Sequence, residues 1–276
     1  DDVLGVPISR IAFEGDQETL TATKNAQPAI LLQSIAAARI LREEGGIEPA
    51  IVAGHSLGEY SALVAAGAVD EMDALAIVRK RGELMYAAGT LQPGTMAAII
   101  GLERADAEAV CREASNGEIV VIANINSPGQ IVISGNIGAV ERAMKIAQRK
   151  GAKKTIPLNV SGAFHSPLVA SAQTELMQYI GRFPFRDAAV GIVCNADAKV
   201  IVRKEDIIDA LSRQLTSPVL WSDSMSVLCR EWSGPIYEIG PGKVLAGLLK
   251  RIDAARPVRN VGTAEEIAEL LAPKRA

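Results

Sequence analysis

Histidine is nearly absent from this chain, with two in 276 residues, beside three cysteines and 4% aromatic residues. With so few histidines and no Cys-x-x-Cys pair, a metal site has almost no ligands, and none is expected. Cys111, Cys194 and Cys229 are odd in number and far apart. That argues against a disulfide framework and favours a reducing, cytoplasmic compartment. No stretch reaches the roughly 18 apolar residues a membrane span needs. The longest candidate, "PAILLQSIAAARIL", is broken by Gln33, Ser34 and Arg39, so no membrane role is expected. An excess of positive charge is also missing. A net charge of −3 argues against a nucleic-acid partner, which would be held largely by phosphate neutralisation. The basic clusters Arg79–Arg81, Lys153–Lys154 and Lys274–Arg275 are short and read as solvated faces. The opening "DDVLGVPISR" lacks the basic-then-apolar pattern of a signal peptide.

What is present is apolar. At 49% apolar and 22% charged residues, the chain can bury a sizeable core as one large domain or two modest ones. Pro28 and the apolar positions after it have helical spacing, stopped by Gly45-Gly46. "PAIVAG" reads as a short buried strand, residues 57 to 67 as a helix, and 72 to 88 as another, before the loop signal "GTLQPG".

The rhythm then changes. "MAAIIG", "IVVIAN", "QIVISG" and "AKKTIPL" read as strands, with helices over 104–115 and 136–150. The order βαββαβ is the ferredoxin-like pattern, so residues 92–158 read as a small domain inserted between 1–91 and 159–276. Beyond it come helix 167–181, strand 189–194, helices 204–214 and 221–231, strand "PIYEIG" and helix 243–251. Strands alternating with helices imply a mainly parallel, helix-covered sheet. The last residues read as a surface helix and a frayed tail.

"GHSLG", residues 54–58, matches the G-x-S-x-G elbow, a strand, a tight turn and a helix that displays a nucleophile. On this reading Ser56 is the nucleophile, and the Leu57 N–H at the helix start is placed to stabilise an oxyanion. The competing reading is a serine that merely caps a helix. A serine nucleophile needs a base, and only His55 and His165 are available. His55 adjoins Ser56, where consecutive side chains diverge, and more naturally orders the turn. His165 lies in "NVSGAFHSPL", a Gly/Ser-rich loop suited to holding a base over a sheet. No histidine follows it and no obvious acid follows "AFHS", so an α/β-hydrolase triad is not expected and something other than a carboxylate is expected to orient the base.

"GHSLGEYSALVAAG", "RGELM", "NSPGQIVISG", "AFHS", "RQLTSPVLW" and "YEIGPGKVLAGLLKRI" occur in that order. Together they resemble the acyltransferase family of malonyl-CoA:acyl carrier protein transacylases and polyketide synthase acyltransferase domains, over residues 27 to 252. The resemblance implies an α/β-hydrolase-like large domain with a ferredoxin-like insertion. It implies that Ser56 carries the acyl group, that His165 is its base, and that the main-chain carbonyl of Gln214 orients His165 in place of an acid. Arg81 would pair with the free malonyl carboxylate, a task suited to its planar fork. Met85, a helical turn further on, and Phe164, beside the base, would line the acyl pocket, or else belong to the core.

The implied activity is ping-pong transfer of malonate from malonyl-CoA to the phosphopantetheine thiol of acyl carrier protein, in fatty acid or polyketide synthesis, with no resident cofactor. Lys153, Lys154 or Arg79 would steer an acidic carrier. The sequence does not fix an oligomeric state; a monomer is compatible with it. Family members open with a strand and a Gly-Gln-Gly-Ser-like loop whose glutamine gives a second oxyanion N–H. No such stretch occurs here, so the given sequence is expected to begin beyond it, with any targeting segment out of view. A serine thioesterase and a non-catalytic relative remain as alternatives.

Overall fold

The computed structural model describes residues 1–272. Two short helices come first, α1 (Ile8–Glu14) and α2 (Gln17–Thr21), the second capped by Asp16, which accepts the Thr19 N–H at 2.7 Å. Helix α3 (Thr23–Glu43) starts ahead of Pro28 rather than at it, which corrects the expected boundary. Proline has no N–H, so the Lys24 carbonyl lacks its helical donor. Arg79 Nη1 donates to that carbonyl instead, at 2.8 Å. Arg79 also binds Asn25 Oδ1 at 2.8 Å and Glu83 at 2.6 Å. With Arg81 only 1% exposed, the Arg79–Arg81 cluster is not a solvated face, and Arg79 is not free to steer a partner. A sequence cannot show that a helix break elsewhere needs a donor.

Strand β1 (Ile51–Ala53) leads through a tight turn into α4 (Gly58–Ala65) and then α5 (Glu71–Leu91), whose cap Asp70 accepts the Met72 N–H. Next come β2 (Thr95–Ile100), α6 (Arg104–Ser115), β3 (Val120–Ser127), β4 (Gln130–Gly135), α7 (Ile137–Arg149) and β5 (Lys154–Pro157). These four strands form an antiparallel sheet in the order β3-β4-β2-β5. Alternation along β2 divides its two faces. Ala97 and Ile99 meet Val110, Val140 and Ile146 of α6 and α7, whereas Met96 and Ala98 join the main core.

A short 3-10 turn (Pro167–Val169) follows, then α8 (Ala170–Ile180), β6 (Gly191–Val193), β7 (Val200–Ile201), α9 (Lys204–Gln214) and α10 (Trp221–Glu231). The described chain closes with β8 (Ile236–Ile239), α11 (Val244–Ile252), β9 (Val258–Val261) and α12 (Ala264–Leu271). Strand β1 pairs in parallel with β6, β7 adds to β6 antiparallel, and β8 pairs in parallel with β9. The architecture is mixed α/β, as expected, although these strands form two sheets among the described residues.

Strands β7 and β9 were not anticipated, and β9 corrects the expected helix-plus-tail ending. Its run "VRNV" carries two polar residues in four, too short a pattern to signal a strand by itself. Lys274–Arg275 and the end of the expected tail lie outside the described residues. No helix among the described residues is long and apolar enough to cross a membrane.

Candidate active site

Ser56 sits between β1 and α4 with φ +50°, a left-handed conformation that costs a non-glycine residue energy and persists only where its surroundings enforce it. The turn closes so tightly that a Cβ on Gly54 would lie 1.9 Å from the Gly58 carbonyl oxygen. Gly54 is thus required by close approach. Gly58 is not, since a Cβ there meets nothing within 4 Å.

Two side chains from distant segments clamp the Ser56 peptide. Asn195, just after β6, accepts the Ser56 N–H on Oδ1 at 2.7 Å and donates from Nδ2 to the Gly54 carbonyl at 2.7 Å. Gln214, at the end of α9, donates from Nε2 to the Ser56 carbonyl at 2.9 Å. No acceptor among the described residues takes the Leu57 N–H at the start of α4.

His165 reaches the serine from the loop after β5. Its Nε2 lies 2.8 Å from Ser56 Oγ. Its Nδ1 faces two carbonyl oxygens, of Gln214 at 3.0 Å and Ser217 at 3.2 Å. Both accept only, so Nδ1 carries the proton and Nε2 presents a lone pair to the serine hydroxyl. The loop can come this close because Gly89 of α5 has no side chain; a Cβ there would stand 1.9 Å from the Ser161 carbonyl oxygen. Burial, then the Arg81 cation, pull the His165 pKa down to about 3, so the imidazole stays neutral above that pH.

The other histidine points elsewhere. His55 Nε2 is 2.9 Å from Asn126 Oδ1, and its ring packs on Trp221 at 5.4 Å between centroids.

Arg81 lies on α5 and extends into the same centre. Its Nη2 donates to Ser56 Oγ at 3.0 Å and to Gln214 Oε1 at 3.1 Å, and its Nη1 to Gln27 Oε1 at 2.5 Å. The Tyr60 ring is 5.6 Å from the guanidinium carbon. Gln27, in turn, donates from Nε2 to Thr23 Oγ1 and Met85 Sδ. Met85 and Phe164 are both buried in the main core, Met85 against Gln27 and Phe164 near Gly162.

The structure therefore brings Ser56, Leu57, Arg81, His165 and Gln214 together. It adds Gln27, Glu59 and Asn195, which sequence reasoning missed. Asn195 had a faint signal, since it follows a predicted strand in an α/β chain, where functional loops gather. Gln27 and Glu59 had none beyond lying near Pro28 and Ser56.

Gln214 needs a further correction. Its carbonyl was expected to be its whole contribution, so Gln214→Ala should have been mild. Its amide also holds Ser56 O, Glu59 Oε2 at 2.7 Å and Arg81 Nη2. Hydrogen bonds to charged groups each contribute roughly 1.5–3 kcal/mol. Gln214→Ala is thus expected to slow Ser56 acylation by about one to two decades. Wild-type burst rates in that variant would reduce the side chain to a bystander.

A family model described as "Acyl transferase domain" matches residues 1–239. The chain belongs to the acyl transferase family. Within it, the chain is 47% identical over 257 residues to the malonyl CoA-acyl carrier protein transacylase of Bacillus subtilis, covering 92% of this chain and 80% of that one. It superposes with a TM-score of 0.94 on the acyl-carrier-protein S-malonyltransferase of Burkholderia pseudomallei, at 42% identity, covering 99% of this chain and 89% of that one. A type II polyketide malonyl-transacylase solved in complex with its acyl-carrier protein superposes at 0.93, with 40% identity and coverage of 98% and 87%.

Proposed function

We propose that this acyl transferase moves a malonyl group from malonyl-CoA to the phosphopantetheine thiol of acyl carrier protein through a Ser56 ester. The observation that carries the reading is a buried guanidinium 3.0 Å from a serine hydroxyl that is itself 2.8 Å from a neutral imidazole. A hydrolase needs only the second half of that arrangement. A buried cation at the nucleophile suits an acyl group that ends in a carboxylate, and the names of the relatives support the same substrate.

In the reaction, Ser56 Oγ gives its proton to His165 Nε2 and attacks the thioester carbonyl. The oxyanion forms against the Leu57 N–H. Collapse expels the CoA sulfur, which takes the proton from His165, leaving malonyl-Ser56. The phosphopantetheine thiol then gives its proton to His165 and attacks the ester, and Ser56 Oγ leaves with that proton. Arg81 pairs with the malonyl carboxylate throughout. That pairing offsets the charge that depresses His165, so a carboxylate-bearing substrate makes the base stronger when it binds. Met85 and Phe164 wall the acyl side.

Every step is carried by side chains and main-chain groups, so the reading calls for no resident metal or cofactor. Exposed Lys154, at the start of the edge strand β5, and Lys153 just before it are the basic groups offered to an acidic carrier. The β3-β4-β2-β5 order supports a ferredoxin-like insert over 92–158 within an α/β-hydrolase-like domain formed by 1–91 and 159–276. Three free cysteines suit a cytoplasmic site of action.

Selectivity tests the reading. Removing one partner of a buried ion pair typically costs about 3–5 kcal/mol, or roughly two to four decades in kcat/KM. Arg81→Ala is expected to lower malonyl-CoA turnover by that much. Acetyl-CoA lacks the carboxylate and should lose only the smaller effect of leaving Gln27 and Gln214 unpartnered. Arg81→Lys should restore little, because a point charge cannot reproduce the fork. The measurement is the malonyl-to-acetyl ratio of kcat/KM. An unchanged ratio in Arg81→Ala would remove the carboxylate-reading role, and fast malonyl-CoA hydrolysis without carrier would favour a thioesterase.

A further inference from the structure

The reaction leaves one buried acid unused. Glu59, on α4, is 3% exposed and is the only buried carboxylate among the described residues. We infer that Glu59 is a positioning residue for acyl transfer, holding in place Asn195 and Gln214, the two side chains that clamp the Ser56 peptide. This rests on Ser56 being the nucleophile of the function proposed above.

The connections are short and few. Glu59 Oε1 accepts the Asn195 main-chain N–H at 3.1 Å, and Oε2 accepts Gln214 Nε2 at 2.7 Å. From Asn195 the chain of bonds passes to the Ser56 N–H and the Gly54 carbonyl. From Gln214 it passes to the Ser56 carbonyl, to Arg81 Nη2 and, through the main chain, to His165 Nδ1. One carboxylate thereby ties together the strained serine peptide, the cation and the base. A left-handed serine needs such over-determination, since nothing in its own backbone preference keeps it there.

Both partners of Glu59 are donors, so both of its oxygens must accept. Glutamine at this position would put an NH2 against a donor. Turning the Gln214 amide over does not help, because its oxygen would then face the Ser56 carbonyl and its NH2 would face Arg81. No arrangement of two amides satisfies the cluster. Protonating Glu59 has the same consequence, since its O–H would also point at a donor.

The titratable groups around Glu59 are Arg81 from α5, its neighbour Tyr60, Cys194 before Asn195, and His165 across Ser56. Burial raises the Glu59 pKa to about 7, and the hydrogen bonds from Gln214 and Asn195, followed by the Arg81 cation, offset only part of that rise. Below that pH Glu59 takes up a proton and half of the clamp is lost. His165 stays neutral until about pH 3. The two groups thus predict different acid limbs.

The test is single-turnover labelling of Ser56 by an alkyl fluorophosphonate, in which Oγ displaces fluoride. The probe has no carboxylate, so it does not depend on Arg81 reading one. In the wild-type protein the labelling rate should fall as the pH drops through about 7. A rate that holds flat well below that point, as His165 alone would give, overturns the inference. In Glu59→Gln, labelling and malonyl-CoA acylation should both fall by the same roughly ten- to hundredfold. KM for malonyl-CoA should hold, and Glu59→Asp should recover part of the rate.

Wild-type labelling in a folded Glu59→Gln protein also overturns the inference. Should that variant not fold, Glu59→Asp, which keeps the charge but shortens its reach to Asn195 and Gln214, is read instead, and wild-type labelling there overturns the inference. A wild-type protein that takes the phosphonate but not malonate would refute the substrate assignment while leaving the Glu59 question to the phosphonate data.

Discussion

Ser56→Ala is expected to abolish the covalent malonyl adduct and, with it, transfer to any carrier. Wild-type protein mixed with malonyl-CoA should gain one malonyl mass, and the variant none. The argument is geometric. Among the described residues, Ser56 Oγ is the hydroxyl that faces both the free lone pair of His165 and the Arg81 guanidinium. Ser166, next to His165, is buried with its hydroxyl donated to the Ala163 carbonyl at 2.6 Å, so it cannot substitute. The variant should still fold, because the clamp on residue 56 is made through its peptide and not its side chain. A persistent adduct in a folded Ser56→Ala protein would move the nucleophile elsewhere.

His165→Ala is expected to slow acylation by roughly 10²–10⁴-fold, the usual contribution of a positioned general base. His55 offers no rescue, since its Nε2 donates to Asn126 Oδ1 and its ring is held against Trp221. Arg81 would still donate to Ser56 Oγ, but a permanent cation cannot take a proton. The loss should therefore appear in kcat, with KM for malonyl-CoA largely kept, because Arg81 and Gln27 remain in place. The measurement is the burst rate of malonyl-Ser56 formation. A rate within a few-fold of wild type would show that solvent or another group takes the proton.

Some of this site could be read from residues in order. Ser56 was visible because strand, turn and helix are local, and the glycine at 54 announces a close approach that the structure then requires. His165 was visible by elimination, since a chain with two histidines offers few bases. Gln214 was half visible. Its place in the sequence pointed to the carbonyl that orients His165, but not to an amide that binds three partners at once.

Arg79 and Arg81 show the limit most clearly. As letters they belong to one basic triplet. In the fold one repairs the break left by Pro28, and the other reaches the Ser56 hydroxyl. Helical periodicity says which face a residue lies on, but not whether that face meets water or a buried amide.

The sequence by itself determined the α/β class, the βαββαβ order, the G-x-S-x-G turn and which of two histidines meets its serine. Each of these depends on hydrophobic period, turn chemistry or a census of residue types, all local or countable. Only the tertiary structure decided the polar network of Gln27, Glu59, Arg81, Asn195 and Gln214. Its members come from five separate segments, and a polar residue carries no local sign of burial. They become a site because burial removes water and leaves each donor to find an acceptor on another segment.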